Sequence, residues 1–265
     1  MDKTGVENLF DNISYRYDLT NFYISLGIEK YWRRKFAAQI SGKEKSALDV
    51  CCGTGISTAI ICRKVSADAK VFGVDFAGEM LEIARQKLER QYTNVTFITS
   101  DAVDLNFEDN FFDVITIVFG IRNMLNREKA LKEFFRVSKP NGKLVIMELS
   151  YPRSALIKKL YNIYMNFIMV NLGGLITRNR NAYKYLVQTI RDFPQADIFS
   201  KTIQSCGWSE VAAAGLTLDT CTIYTAIALK QADTLKSRFE PVCLFDQPTC
   251  KENLLTGQLV YYKSQ

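Results

Sequence analysis

Not one of the 265 residues is histidine. Histidine is the side chain whose ordinary pKa lies inside roughly pH 5–8. Its absence excludes histidine general bases, histidine-containing triads and histidine metal sites. Cysteine occurs seven times, an odd count without metal-ligand spacing. That pattern reads as reduced thiols in a cytoplasmic protein, not as a disulfide framework. No apolar run is long enough to span a bilayer; the greasiest stretch, 156–170, contains Lys158, Lys159, Asn162 and Asn166. The opening Met1-Asp2-Lys3-Thr4-Gly5 lacks the apolar core of a signal peptide. Internal repeats and low-complexity segments are missing too. The net charge of +6 is mild for this length and calls for no nucleic-acid partner. What remains, 48% hydrophobic and 23% charged residues, predicts a globular chain with a substantial core.

From about Ser46 to Ser150 the pattern reads strand, helix, strand, helix, strand, strand, helix, strand. The helix opening near Ile56 is expected to bury Ile56, Ala59 and Ile60, and the next one Leu81, Ala84 and Leu88. Phe112–Val118 is nearly continuous in apolar and β-branched residues, as in a strand covered on both faces. Asn126 is placed to cap a helix whose stripe includes Leu131, Phe134 and Phe135. Pro140-Asn141-Gly142 predicts a turn before the strand Lys143–Met147. Alternating elements imply an α/β fold with a mostly parallel, doubly wound sheet, and a ligand crevice at the C-terminal strand ends.

The chemistry concentrates in Asp49-Val50-Cys51-Cys52-Gly53-Thr54-Gly55. A strand runs into a small-residue turn that opens a helix, and Gly53 and Gly55 permit backbone angles that other residues avoid. Asp75 ends the following strand, where an acid can bind two ribose hydroxyls. Asp101-Ala102 follows a third strand and supplies a polar group for adenine. A dinucleotide would want a third glycine where Thr58 stands, so the pyrophosphate pattern is incomplete. S-adenosylmethionine, which has no phosphate, suits the same residues.

Two pieces flank this core. Residues 1–45 read as a helical, substrate-covering segment rich in aromatics, among them Phe10, Tyr15, Tyr17, Phe22, Tyr23, Tyr31 and Trp32. Residues 154–206 read as a helical insertion in a 46–230 core. The apolar stretch within it serves either as an amphipathic core helix or as a lid that forms a greasy pocket or touches a membrane surface. Two last strands are expected around Val211 and over 222–229, and a C-terminal extension over 231–265 ends in strand-like 258–262.

Tyr17-Asp18-Leu19-Thr20-Asn21-Phe22-Tyr23-Ile24-Ser25-Leu26-Gly27-Ile28-Glu29-Lys30-Tyr31-Trp32 resembles the N-terminal signature of the menaquinone/ubiquinone biosynthesis C-methyltransferases. The stretch from Arg136 to Ser150 resembles their second signature. Phe119-Gly120-Ile121-Arg122-Asn123 is similar to their loop beside the reacting carbon, and Tyr183-Lys184-Tyr185-Leu186 with Thr189, Ile190 and Arg191 also matches. The resemblance implies a class I methyltransferase fold (Rossmann-like, seven strands, mostly parallel, with helical N-terminal and lid segments). It implies transfer of a methyl group from S-adenosylmethionine, leaving S-adenosylhomocysteine, to a ring carbon of a prenylated quinol. Its cofactor contacts fall on Thr54, Asp75, Asp101 and Ala102, with Asp49, Gly53, Gly55 and Phe76 around them. A family serine contact falls on Val118. Thr20 and Glu29 stand where the family has methionine and histidine, Ser138 and Asn141 where it has an aliphatic residue and glycine, and Tyr224 where it has a C-terminal histidine.

Carbon becomes a nucleophile when a neighbouring hydroxyl ionises. Arg122, always charged and forked, is the candidate to hold that oxygen, and Asn123 the candidate to orient it or a water. The expected partner is an aromatic or quinol small molecule, with no metal and no nucleic acid. A peripheral membrane contact and a homodimer stay open, as does a secondary-metabolite acceptor. A nucleotide-dependent oxidoreductase and a catalytically silent methyltransferase-like subunit are the readings from other classes. The missing third glycine opposes the first, and Arg122 with Asn123 opposes the second.

Overall fold

The computed structural model describes residues 25–177 and 179–230. Most of the N-terminal signature, the aromatics before residue 25 and the 231–265 extension therefore lie outside the described residues.

The strands form one seven-stranded sheet in the order β3-β2-β1-β4-β5-β7-β6. These are β1 (Ser46–Val50), β2 (Lys70–Asp75), β3 (Val95–Thr99), β4 (Phe112–Val118), β5 (Ser138–Leu149), β6 (Ser209–Leu216) and β7 (Cys221–Ile227). Pairings from β3 through β5 are parallel, and β7 runs antiparallel to both neighbours. All five residues of β1 are buried, as a central strand covered on both faces requires. The strand order reverses between β1 and β4, which makes their C-terminal ends the switch point where α/β sheets hold ligands.

One side carries Leu48, Ile115, Ile117, Leu131, Phe134 and Trp208; the other carries Trp32, Phe36, Ile61, Leu81, Val114 and Val145. Helix α1 (Ile28–Ala37) joins the second layer through Trp32 and Phe36. Helix α3 (Gly78–Leu88) buries Leu81, Ala84 and Leu88, the stripe read from the sequence. Helix α4 (Arg127–Val137) buries Leu131 and Phe134, and Asn126 Oδ1 caps it by accepting from Lys129 N at 2.9 Å.

Helix α2 (Ile56–Lys64) departs from expectation. It fully buries Ser57, Thr58 and Ile61, while Ala59 and Ile60 are only partly buried against the same layer. The cause is Asp49, fully buried beneath the helix, whose Oδ2 accepts from Ser57 Oγ at 2.8 Å and Thr58 Oγ1 at 2.7 Å. A buried carboxylate needs such partners, so the hydroxyls turn inward and the apolar period shifts.

The Pro140-Asn141-Gly142 turn does not stand ahead of a strand; it is a bulge inside β5. Phe112 pairs with Ser138 and Val114 with Lys143, so residues 139–142 loop out of register. Asn141 takes φ 62°, and its N–H donates to Ala228 O at 2.8 Å.

Residues 154–206 are helical: α5 (Ala155–Ile163), a π-helical turn (Tyr164–Met169), α6 (Val170–Thr177), α7 (Arg180–Asp192) and α8 (Ala196–Ser205). They bury a small core of their own from Met165, Met169, Val170, Tyr183, Val187 and Ile190. Leu156, Leu160, Ile163 and Phe167 stay exposed along one side. Among the described residues no helix is long and apolar enough to cross a membrane.

Candidate active site

Parallel register brings the ends of the strands level. Val50 lies beside Val74 and Ile117, and Val118 beside Met147. The segments that follow β1, β2, β3 and β4 therefore converge on one side and enclose a cavity of about 250 Å³. Gly53, Thr54, Asp75, Phe76, Asp101, Ala102, Val118 and Asn123 line it. Asp49, Gly55 and Arg122 do not.

Asp49 lies behind the turn. Besides the two helix hydroxyls it accepts from Thr116 Oγ1 at 2.8 Å on Oδ1, so one carboxylate ties β1, β4 and the start of α2 together. Burial pushes its pKa up, against the hydroxyls that pull it down. Thr58, where a dinucleotide protein would have its third glycine, is one of those hydroxyls. Gly55 begins α2 at φ 83°, and a Cβ there would sit 2.7 Å from Leu88 Cδ1. It serves the close approach of α2 to α3.

Asp75 is on the cavity wall. Gly53 N donates to Oδ2 at 2.8 Å and Ala77 N to Oδ1 at 2.9 Å, which fixes the carboxylate plane. Each oxygen keeps a second lone pair for a ligand hydroxyl. Burial raises its pKa to about 6, and the backbone donors of Ala77, Gly53 and Phe76 only partly offset that. Asp101 accepts from Val103 N at 3.2 Å in the turn after β3. Cys51 and Cys52 also line the cavity, but burial drives both thiols well up, away from the reactive thiolate.

Phe119-Gly120-Ile121-Arg122-Asn123 follows β4 as a short 3₁₀ turn over Ile121–Asn123. Asn123 faces the cavity, and its buried Oδ1 has no hydrogen-bond partner among the described residues. Arg122, expected to reach the reacting oxygen, points elsewhere. Its Nη1 donates to Glu148 Oε1 at 2.7 Å and to Phe119 O at 2.5 Å. Its backbone N–H donates to Glu148 Oε2 at 3.1 Å.

Sequence reasoning missed several lining residues, among them Arg33, Met80, Phe119 and Met124. Phe119 was within reach, since it opens the quoted pentapeptide. Arg33 follows the N-terminal signature directly, yet only the packing of Trp32 shows which way it faces. Met80 lies one helical turn beyond Phe76 and carries no polar mark.

The site's donor set fits S-adenosylmethionine: an acid for a diol after β2, a second polar turn after β3, and no pyrophosphate cradle. Comparisons with known proteins agree. The model of the ubiE/COQ5 methyltransferase family matches residues 1–228. A demethylmenaquinone methyltransferase of Bacteroides fragilis is 37% identical over 224 residues, 83% of this chain and 91% of that protein. A ubiquinone/menaquinone biosynthesis C-methyltransferase of Geotalea daltonii is 38% identical over 223 residues, 83% and 94% of the two chains. Among solved structures, a SAM-dependent methyltransferase from Aquifex aeolicus superposes with TM-score 0.55 at 18% identity, over 74% of this chain and 89% of that one. Identity that low speaks for the fold alone.

Proposed function

Given that the chain belongs to the ubiE/COQ5 methyltransferase family and is an S-adenosylmethionine-dependent methyltransferase, we propose that its acceptor is a prenylated quinol methylated at a ring carbon. The observation that carries this reading is Asn123 Oδ1, a buried acceptor atom on the wall of the cofactor cavity with no partner of its own. A hydroxyl on the acceptor ring can donate to it, which would fix the ring carbon next to that hydroxyl against the methyl group.

Bound S-adenosylmethionine supplies the electrophilic methyl group on a sulfonium. Asp75 would hold the ribose hydroxyls, the Asp101–Ala102 turn the adenine, and Gly53 and Thr54 would shape the turn beneath the amino-acid end. Val118 contributes shape where relatives of this pattern would place a serine hydroxyl. Asn123 Oδ1 would accept from the ring hydroxyl and so orient the ring, while the proton itself leaves to water. Arg122 acts as a positioning residue. Through Glu148 and Phe119 O it holds the turn that presents Asn123.

An acceptor with an isoprenoid tail lives in the lipid phase. The exposed face Leu156, Leu160, Ile163 and Phe167, at helical spacing through α5 and the π-helical turn, supports a peripheral approach to that phase. The described parts of the two flanking segments, 25–45 and 154–206 without residue 178, serve in this reading as covers of the acceptor.

A substrate panel tests the proposal. Prenylated quinols should give methylated product, and KM should rise stepwise as the tail shortens, because each buried CH₂ contributes about 0.8 kcal/mol. Product from compact aromatics only, with none from any prenylated quinol, would replace it with a secondary-metabolite methyltransferase.

A further inference from the structure

Arg33 is the one lysine or arginine among the described residues that line the cavity. It projects from α1, which Trp32 anchors by a hydrogen bond from Nε1 to Thr217 Oγ1 at 2.8 Å and by an edge-on contact with Phe119. Its guanidinium lies 5.8 Å from the Phe119 ring centre. Nε and Nη2 are both engaged by Glu29 Oε1, at 2.5 Å each, in an i,i+4 pair of the favourable orientation. Nη1 is left buried with no hydrogen-bond partner among the described residues. A guanidinium held on one edge, stacked on a ring, with its other edge unsatisfied at a ligand cavity, is a preorganised anion donor.

The cofactor carries one anionic group. Its sulfonium and ammonium are positive, its ribose and adenine neutral, and its α-carboxylate negative. We propose that Arg33 binds the α-carboxylate of S-adenosylmethionine. The inference rests on the reading of this cavity as the cofactor site. In that reading Asp75 and Asp101 would hold the ribose and adenine end, which leaves the Cys51–Thr54 turn and Arg33, on the wall of the same cavity, for the amino-acid end. Glu29, which stands where the family signature has histidine, is the residue that fixes the guanidinium edge. Glu29 is thus the positioning acid at the base of the carboxylate donor.

Decarboxylated S-adenosylmethionine lacks that carboxylate and nothing else, so it isolates the contact. Calorimetric titration of the full chain with both ligands is the experiment, on wild type and Arg33→Gln, with ligand-free melting temperatures measured alongside. Wild type should bind S-adenosylmethionine more tightly than the decarboxylated compound. Arg33→Gln should weaken the intact cofactor about ten- to a hundredfold, as for one hydrogen bond to a charged group. It should leave the decarboxylated compound within threefold. Arg33→Lys keeps the charge without the fork and should fall between; it carries the comparison if Arg33→Gln does not fold. Equal losses for both ligands would make Arg33 a structural residue and overturn the proposal. Unchanged affinity for the intact cofactor, with a raised KM for the acceptor, would overturn it in favour of an acceptor contact. Failure of wild type to bind either ligand would remove the reading of the cavity itself.

Discussion

Arg122 Nη1 lies 2.7 Å from Glu148 Oε1, and the two side chains are 3% and 0% exposed. The turn that carries Asn123 to the cavity wall is thus clamped by a salt bridge that water does not reach. Removing one partner of a buried pair leaves the other charged and uncompensated, at a cost of roughly 3–5 kcal/mol. Arg122→Ala and Glu148→Ala should each destabilise the fold on that scale in denaturant titrations. Arg122→Met with Glu148→Leu should cost far less than the sum, because no lone charge remains. Additive losses would mean that the pair is not coupled.

With Asp75 as the ribose-binding acid proposed above, cofactor binding is expected to depend on pH. Its pKa rises from 3.8 to about 6 on folding. An acid with a raised folded pKa takes up protons on folding between those values, so its burial disfavours the fold above about pH 6 and that penalty fades as pH falls. Cofactor binding has the opposite preference, since ribose hydroxyls donate to the ionised carboxylate. Affinity should decline as pH drops through about 6, and binding at that pH should release a fraction of a proton. Calorimetry in two buffers of different ionisation enthalpy checks this. Asp75→Asn should abolish the proton release and weaken binding; release that persists in Asp75→Asn assigns it to another group.

Asn123→Ala is expected to lower the single-turnover rate by about 10²-fold, the scale of a lost orienting contact that misplaces the reacting carbon. Cofactor affinity should stay within about twofold, because the residue serves the acceptor side. A rate within threefold of wild type would remove Asn123 from the chemistry.

Val118→Ser installs a hydroxyl at the end of β4, where the resemblance to the family implies a serine. Val118 is buried at the cavity wall. One added neutral hydrogen bond, roughly 0.5–1.5 kcal/mol, should tighten S-adenosylmethionine binding by about two- to tenfold. Weaker binding would show that the cavity is built around the valine.

Much of the sheet was legible because its strands obey simple patterns. Phe112–Val118 reads as a doubly covered strand and is one, and Leu81, Ala84 and Leu88 read as a buried stripe and form one. Asn126 reads as a cap and accepts from Lys129 N. Failures came where a distant polar group overrode a local pattern. Nothing within α2 announces that Asp49 will draw Ser57 and Thr58 inward. Pro140-Asn141-Gly142 has turn chemistry, but pairing with β4 and β7 on either side keeps it within a strand. Arg122 illustrates the same limit at the site. Its position after β4 is visible in the sequence, whereas its direction is set by Glu148, 26 residues away on β5.

The most direct test of the central claim is the fate of a labelled methyl group. The full chain is incubated with trideuteromethyl S-adenosylmethionine and a reduced, demethylated prenylquinol, and the product is analysed by mass spectrometry and carbon NMR. The account predicts a product that carries the CD₃ group on a ring carbon adjacent to a hydroxyl-bearing carbon, with equimolar S-adenosylhomocysteine. Label on oxygen, or no labelled product while calorimetry shows the cofactor bound, would contradict it.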